Sequence, residues 1–394
     1  MALGLGTSPT DTVPIPSDTF DVQSGERLAD VRGALEGAAE VAVDVEADAM
    51  HHFEARLCFV QLGTEQAVYL LDTLAHGVQP GVLAPLFSDA SRTKYFHAAG
   101  GDLQYLAQAG VRVKGLFDTH RAATLLGWPR VGLADLVQEK LGVTLDKGHQ
   151  QSDFSLRPLP EGMRSYIADD VRYLVEIGRQ VKEACRAADV LEEVQLDCER
   201  MEEEAAERPD VGHDFKPRLS RQGLSAAQVK LQAALAQALH ERRLAWAKAA
   251  DVPMGRMLSN AAVVALSTRP PKDRKELARA EGVRGAFVRE HGDEVLALVE
   301  KLTKEAESGA LPDAAERAGR DPKARKREDA LKAWRATAAT ARKVTPSVVL
   351  PNAVLSELAD APPGDLDGLK AFRWLGEKRV RLYGPALLEL LRKG

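Results

Sequence analysis

Apolar and polar positions alternate along Val41-Ala-Val-Asp-Val-Glu46. This predicts a strand with Val43 and Val45 turned to a core and Asp44 and Glu46 on the opposite face. Leu57-Cys-Phe-Val-Gln-Leu62 and Ala67-Val-Tyr-Leu-Leu71 are short apolar runs separated by the turn-like Gly63-Thr-Glu65. Three strands in close succession predict an antiparallel meander. Thr93-Lys-Tyr-Phe-His97 reads as a fourth strand, with Gly100-Gly101 marking the turn after it. The period then becomes helical over Asp102–Ala109, Thr119–Leu126 and Leu133–Leu141. One long helix is predicted from Gly162 to Ala187, with Tyr166, Val171, Leu174, Val175 and Val181 among its apolar positions. Strands first, then strands mixed with helices, indicate an α/β domain.

Residues 188–222 differ in character. Glu192–Glu207 reads as a charged helix, and Arg208-Pro-Asp-Val-Gly212 breaks it, so the segment is a candidate linker. Everything beyond is helical, and it repeats. A constant offset of 92 residues places Asn260 on Asn352, Leu266 on Leu358, Pro270-Pro271 on Pro362-Pro363, and Leu277 on Leu369. In the same register Val288 falls on Val380, Gly292 on Gly384 and Leu296 on Leu388. Apolar pairs can coincide by chance, but two prolines, an Asn and a Gly in one register point to two copies of a small helical module. Ser308–Pro322, rich in Ala, Gly, Asp and Pro, reads as a second linker. The expected organisation is a flexible leader over 1–23, an α/β domain over 24–190, a linker over 191–221, helical modules over 222–304 and 325–394, and a linker over 305–324 between them.

Composition narrows the class. Residues 1–210 carry a net charge of −16 and residues 211–394 a net charge of +11, an asymmetry hidden in the overall −5. Acidic groups suit metal binding, and basic groups suit a polyanion such as nucleic acid. Two basic clusters could meet phosphate: Arg269, Lys272, Arg274, Lys275 and Arg279 in the first module, and Lys323, Arg325, Lys326, Arg327, Lys332 and Arg335 at one end of the second. There is no run of about 18 apolar residues, and Met1–Phe20 lacks a basic start followed by an apolar stretch. Three cysteines without metal-type spacing argue against a disulfide framework or a zinc site, and the cytoplasm is the expected compartment. No G-x-x-x-x-G-K-[ST] phosphate loop is present, which disfavours a helicase reading.

Asp44 and Glu46 share one strand face and repel each other unless a cation lies between them, and hard divalent cations prefer such oxygen ligands. Alone the pair also fits a solvent-facing strand edge. Asp102, after a Gly-Gly turn, also fits a helix N-cap. Asp169-Asp170 lies inside a helix, where Asp is disfavoured, and Tyr166 sits one turn before Asp170 on the same face.

The ordered set Asp44-x-Glu46, Asp102 and Tyr166-x-x-x-Asp170 resembles the DEDD exonucleases, in the subclass with a tyrosine. Position 165 is Ser, where the histidine subclass has its His. The strings Val43-Asp-Val-Glu46, Thr93-Lys-Tyr-Phe-His-Ala98 leading to Asp102, Asp118-Thr119, Gly142-Val-Thr-Leu-Asp-Lys147, Ser152-Asp-Phe-Ser-Leu-Arg-Pro-Leu159 and Tyr166-Ile-Ala-Asp-Asp-Val-Arg-Tyr-Leu174 resemble the ribonuclease D family, over about 24–190. The two basic modules resemble HRDC domains. Two departures stand out: the third motif reads His-Ala-Ala-Gly-Gly-Asp, and Phe154 stands where Trp is common.

The resemblance implies a ribonuclease H-like α/β exonuclease domain, with a mixed sheet flanked by helices, followed by two all-α HRDC-like domains. It implies a 3′-to-5′ exoribonuclease that releases nucleoside 5′-monophosphates from RNA with a free 3′ end, such as tRNA precursors. It also implies two divalent ions, Mg²⁺ or Mn²⁺, one held by Asp44, Glu46 and Asp170, the other by Asp44 and, through water, Asp102, with Tyr166 orienting the attacking water. His51, His52, Phe53 and His97 are candidate substrate contacts. A DNA 3′-to-5′ exonuclease of repair, or a non-catalytic nucleic-acid-binding protein, are the alternative readings.

Overall fold

The computed structural model describes residues 15–393 except 49, 147, 208–214, 216, 218 and 313–320. Residues 1–14 of the expected leader, the Arg208–Gly212 break and residues 313–320 of the second linker therefore lie outside the described residues. The described residues form two compact units. One falls within Met1–Ala47, Leu57–Val211 and Arg320–Gly394, the other within Asp48–Arg56 and Gly212–Gly319.

The first unit is built on a six-stranded sheet of β1 (Asp18–Val22), β2 (Glu40–Asp48), β3 (Arg56–Gly63), β4 (Ala67–Asp72), β5 (Thr93–Phe96) and β6 (Leu116–Asp118), in the order β1-β4-β3-β2-β5-β6. Its helices are α1 (Gly25–Leu35), α2 (Ala84–Phe87), α3 (Gly100–Gln108), α4 (Thr119–Leu126), α5 (Leu133–Leu141), α6 (Glu161–Arg172), α7 (Leu174–Ala187) and α8 (Leu191–Glu207). The expected antiparallel meander is only part of this sheet. β3 and β4 pair antiparallel, whereas β1 joins β4, β5 joins β2 and β6 joins β5 in parallel, so the sheet is mixed.

Three local expectations differ from the structure, and one alternative, the N-cap reading of Asp102, falls away. Asp18–Val22, inside the expected leader, is an edge strand whose exposed polar residues gave no apolar run to read. Arg164 Nε lies 3.0 Å from both carboxylate oxygens of Asp21 there, and Arg172 donates to the Pro16 carbonyl at 2.5 Å and to Thr19 Oγ1 at 2.9 Å. The long helix is two, broken at Tyr173 (φ −100°, ψ −8°), because α6 packs on β4 while α7 packs on β5. Gly178 permits the second contact, since a Cβ there would come within 2.2 Å of the Tyr95 ring. Asp102 is not a cap: Ala99 caps α3 and Asp102 sits in its first turn. Finally, α8 is no free connector. Val194, Cys198 and Ala205 are buried in the sheet's core, Glu202 Oε1 accepts from the Leu116 N–H at 2.9 Å, and Asp197 pairs with Arg121.

The helical modules repeat in space as in sequence. The first, in the second unit, comprises α9 (Ala226–Ala249), α10 (Met254–Met257), α11 (Asn260–Thr268), α12 (Arg274–Arg279) and α13 (Gly285–Glu307). The second comprises α14 (Pro322–Arg342), α15 (Pro346–Val349), α16 (Asn352–Asp360), α17 (Leu366–Lys370) and α18 (Glu377–Lys393). The last four helices of each begin in the 92-residue register. Arg243 Nη1 donates to the Leu258 carbonyl at 3.0 Å, and its counterpart Arg335 donates to the Leu350 carbonyl at 2.8 Å. Gly292 and Gly384 lie where α12 and α17 approach: a Cβ at Gly384 would meet Leu366 Cδ2 at 2.7 Å. Part of the expected phosphate-facing charge is thus engaged in the fold. Besides Arg335, Arg327 donates to the Ala359 carbonyl, Lys332 pairs with Glu328 and Arg274 pairs with Asp293. Arg269, Lys272, Lys275 and Arg279 are exposed.

The second module is anchored to the exonuclease part of its unit. Glu193 of α8 is fully buried and meets Lys378 Nζ and Arg342 Nη1, each at 3.1 Å. Lys378, itself buried, also reaches Asp189 Oδ1 at 2.9 Å, and Val348 belongs to the sheet's apolar core. Removing one partner of a buried ion pair strands the other charge. Glu193→Ala should therefore lower stability to urea by about 3 kcal/mol, and adding Lys378→Met should recover much of that loss. An unchanged unfolding midpoint for Glu193→Ala would show that the anchor carries no energy.

Candidate active site

Alternation along β2 sets the first two acids. Val43 and Val45 are buried, which turns Asp44 and Glu46 to the other face, at the wall of a cavity of about 340 Å³. Asp170 arrives from α6 one turn after Tyr166, and both line the same cavity. One carboxylate oxygen from each of Asp44, Glu46 and Asp170 lies within 4.8 Å of the others. Asp102 is not among the lining residues, but its charge acts on Glu46, and those of Asp44 and Asp170 act on it.

Asp102 is aimed by a strained turn. Ala98 adopts φ +65°, a region that ordinarily favours glycine. Asp118 clamps it: Oδ2 accepts from the Ala99 N–H at 2.8 Å, while Oδ1 accepts from Ala98 N–H at 3.2 Å and Arg121 N–H at 2.9 Å. One buried carboxylate thus caps α4 and fixes the entry to α3. Sequence reasoning gave Asp118 no role. The available signal was an Asp directly before a helical run, and its grip on a turn twenty residues earlier required the fold.

Tyr166 is held on three sides. Its hydroxyl hydrogen-bonds Asp170, Phe154 stacks on its ring at 6.3 Å with 27° between planes, and His149 meets it edge-on at 6.0 Å. Phe154, where Trp is common, is buried and fills the stacking position. Its loop is fastened by Arg157, which donates to both oxygens of Asp72 at 2.6 Å and lies 4.3 Å over the Phe59 ring.

Burial, and then mutual repulsion, resists ionisation of the acids. Burial followed by the charges of Asp44, Asp170 and Asp102 pushes Glu46 up to about 9, and burial pushes Asp44 up to about 7. Asp102 and Asp170 are raised well above the usual carboxylate range, by burial first and then by Asp44. Tyr166 is raised too, by burial and the neighbouring carboxylates, so its phenol keeps its proton. Every neighbouring charge that shifts Glu46, Asp102 and Asp170 is another carboxylate. A set of oxygen donors whose recorded charged neighbours are all anionic fits a hard divalent cation.

The other candidates divide. His97 lines the cavity, half-buried, with burial lowering its pKa to about 4. His51, His52 and Phe53 belong to the second unit and are not among the lining residues. There His51 Nδ1 lies 2.7 Å from Asp48, His52 Nδ1 lies 2.8 Å from Asp251, and the Phe53 N–H donates to Asp251 at 3.1 Å. Asp146 and Gln150 also line the cavity, without having been singled out in the sequence.

This combination of sheet and acids falls in a known class. A family model described as 3′-5′ exonuclease matches residues 21–186, and the HRDC domain model matches residues 232–299 and 324–391. Ribonuclease D of Gluconacetobacter diazotrophicus is 30% identical over 371 residues, 90% of each chain. Ribonuclease D of Acidiphilium cryptum is 32% identical over 311 residues, 76% of each chain. The crystal structure of Escherichia coli RNase D, described as an exoribonuclease involved in structured RNA processing, superposes with a TM-score of 0.68 at 25% identity, covering 95% of this chain and 99% of that one. The chain belongs to the ribonuclease D family, and its activity is that of a hydrolytic 3′-to-5′ exoribonuclease. Among the described residues no helix is long and apolar enough to cross a membrane.

The raised carboxylates set a pH dependence. Free of metal, the folded protein holds protons that the unfolded chain releases near pH 4. It therefore loses stability as pH rises through about 7 and towards 9. A divalent cation held by this set would bind its ionised form, so its stabilising effect would grow over the same window. Melting followed in chelator from pH 6 to 9 should show a decline that Mn²⁺ reverses most strongly at the alkaline end, and Glu46→Gln should flatten it. Curves identical with and without Mn²⁺ would contradict this picture.

Proposed function

We propose that this chain trims RNA from the 3′ end by hydrolysing one phosphodiester at a time and releasing nucleoside 5′-monophosphates, in the manner of tyrosine-type DEDD exonucleases. Asp44, Glu46 and Asp170 would hold one divalent ion, and Asp44 and Asp102 a second, Mg²⁺ or Mn²⁺. Bound there, the ions would supply counter-charge for the phosphoryl oxygens and acidify the attacking water. The observation that carries this reading is the convergence of three carboxylate oxygens on one cavity wall beside Tyr166.

The protein's own groups take the remaining roles. Tyr166 gives its proton to a hydrogen bond with Asp170, which leaves its lone pairs free to accept from a water. Because its phenol resists ionisation, Tyr166 positions that water and does not deprotonate it. Phe154 and His149 keep the ring from swinging. Asp118 sets Asp102 through the turn at Ala98.

The substrates are RNAs with a free 3′ end, tRNA precursors among them, met in the cytoplasm. The structured-RNA role given for the E. coli relative supports this. In this reading the exonuclease domain spans about 24–190, extended by the edge strand β1 and by α8, and the HRDC-like domains span 222–304 and 325–394, with the exposed Arg269, Lys272, Lys275 and Arg279 available to phosphate.

Digestion of a 5′-labelled RNA in Mg²⁺ tests the proposal. Wild type should give a ladder descending from the 3′ end. Asp44→Asn should lose more than the roughly 10–100-fold that loss of an outer-shell partner costs, and Tyr166→Phe should fall between the two. Digestion that persists in Asp44→Asn at the wild-type rate would refute the mechanism.

A further inference from the structure

Thr119, which the mechanism above leaves without a role, lies fully buried at the first position of α4. Its hydroxyl donates to the Phe96 carbonyl at 3.0 Å, and its oxygen lies 2.9 Å from His97 Nδ1. A hydroxyl carries one proton. With that proton committed to Phe96, Thr119 can only accept from the histidine, so Nδ1 must carry the ring proton. This fixes the tautomer and leaves Nε2 as a bare lone pair. The ring is further set edge-on against His120, with centroids 5.5 Å apart at 87°. Burial keeps it neutral, with a pKa lowered to about 4. Among the described residues Nε2 has no hydrogen-bond partner, and His97 lines the cavity that holds Asp44, Glu46, Tyr166 and Asp170.

A neutral acceptor in a cavity whose charged lining residues, Asp44, Glu46, Asp146 and Asp170, are all acids selects for a donor. An exonuclease that removes every nucleotide must rely on the parts of RNA that do not vary, the phosphate and the ribose. Phosphate oxygens are anionic acceptors and repel a bare nitrogen lone pair. The ribose hydroxyls alone can donate, and the 2′-hydroxyl sits beside the 3′ oxygen that joins the scissile phosphate.

We propose that His97 Nε2 accepts a hydrogen bond from the ribose 2′-hydroxyl at the cleavage site, and that Thr119, by fixing the tautomer, makes this cavity discriminate RNA from DNA. His97 is then a specificity residue and Thr119 its positioning residue. The inference rests on the hydrolytic reading of the same cavity.

The test compares kcat and KM on two 5′-labelled oligonucleotides of one sequence, all-ribose or 2′-deoxy in the two terminal nucleotides. The full-length protein should prefer the all-ribose substrate by about tenfold in kcat/KM, the size of one lost hydrogen bond. His97→Phe should bring the ratio to about one, by slowing the ribose substrate more than the deoxy substrate. Thr119→Val should move the ratio the same way, and Thr119→Ser, which keeps the hydroxyl, should preserve it. The Mn²⁺-induced rise in melting temperature should survive in all three variants. A ratio that stays at its wild-type value in His97→Phe, or an equal loss on both substrates, overturns the proposal while leaving the exonuclease reading intact. A wild type that digests neither substrate overturns both.

Discussion

Four carboxylates gathered where the recorded neighbouring charges are themselves carboxylates form the constraint on which the rest of the structure depends. Burial raises the pKa of Asp44, Glu46, Asp102 and Asp170, and neighbouring carboxylates raise those of Glu46, Asp102 and Asp170 further. Left alone, such a set would spread or stay protonated. Three separate parts of the fold prevent the spreading. The pleat of β2 fixes Asp44 and Glu46 on one face, the Asp118 clamp fixes the approach to Asp102, and the stacking of Phe154 on Tyr166 fixes the turn that carries Asp170. The electrostatic cost is therefore preserved by the scaffold, and in the proposed reading a cation would relieve it, the scaffold preorganising the site.

The scaffold extends further than the exonuclease sequence strings. Asp118 is itself braced by α8, since its backbone N–H points to the Cys198 sulfur at 3.4 Å, and α8 in turn carries Glu193 into the buried pair with Lys378. The second helical module is therefore continuous with the packing behind Asp102. The acidic and basic halves of the chain are not two independent surfaces, because part of the basic surplus, in Lys378, Arg342 and Arg373, is matched to the acidic face of α8.

How far the fold could be read in advance depended on whether the deciding contact was local. The bounds of α4 and α5 were legible because Gly127 and Gly142 terminate them in the left-handed conformation and the apolar period is clean. The helical repeat was legible because its prolines and glycines serve the same junctions in both copies. β1 was not, because an edge strand paired with residues some 50 positions later needs no apolar run of its own. The break at Tyr173 was not, because neither Pro nor Gly marks it and the cause is the divergence of β4 from β5 as packing partners. At the site, spacing marked the acids and Tyr166 only as candidates, and the resemblance of their ordered set to the DEDD exonucleases gave them a role. The work of Asp118 and Thr119 could not be singled out, since both act on backbone or side chains about twenty residues away. His51, His52 and Phe53 were attractive for their closeness to β2 in sequence, yet His52 and Phe53 meet Asp251, almost 200 residues on.

The central claim is that a divalent cation is the missing counter-charge of this carboxylate cluster, and counting bound ions tests it without recourse to activity. Free Mn²⁺ gives a sharp paramagnetic resonance signal that disappears on binding, so titrating the full chain at pH 7.5 yields the number of ions taken up. Wild type is expected to withdraw Mn²⁺ into sites that Asp44→Asn loses while its melting temperature in chelator is maintained or raised, because the substitution removes repulsion. Equal uptake by the two proteins, or an Asp44→Asn protein less stable than wild type in chelator, would contradict the account.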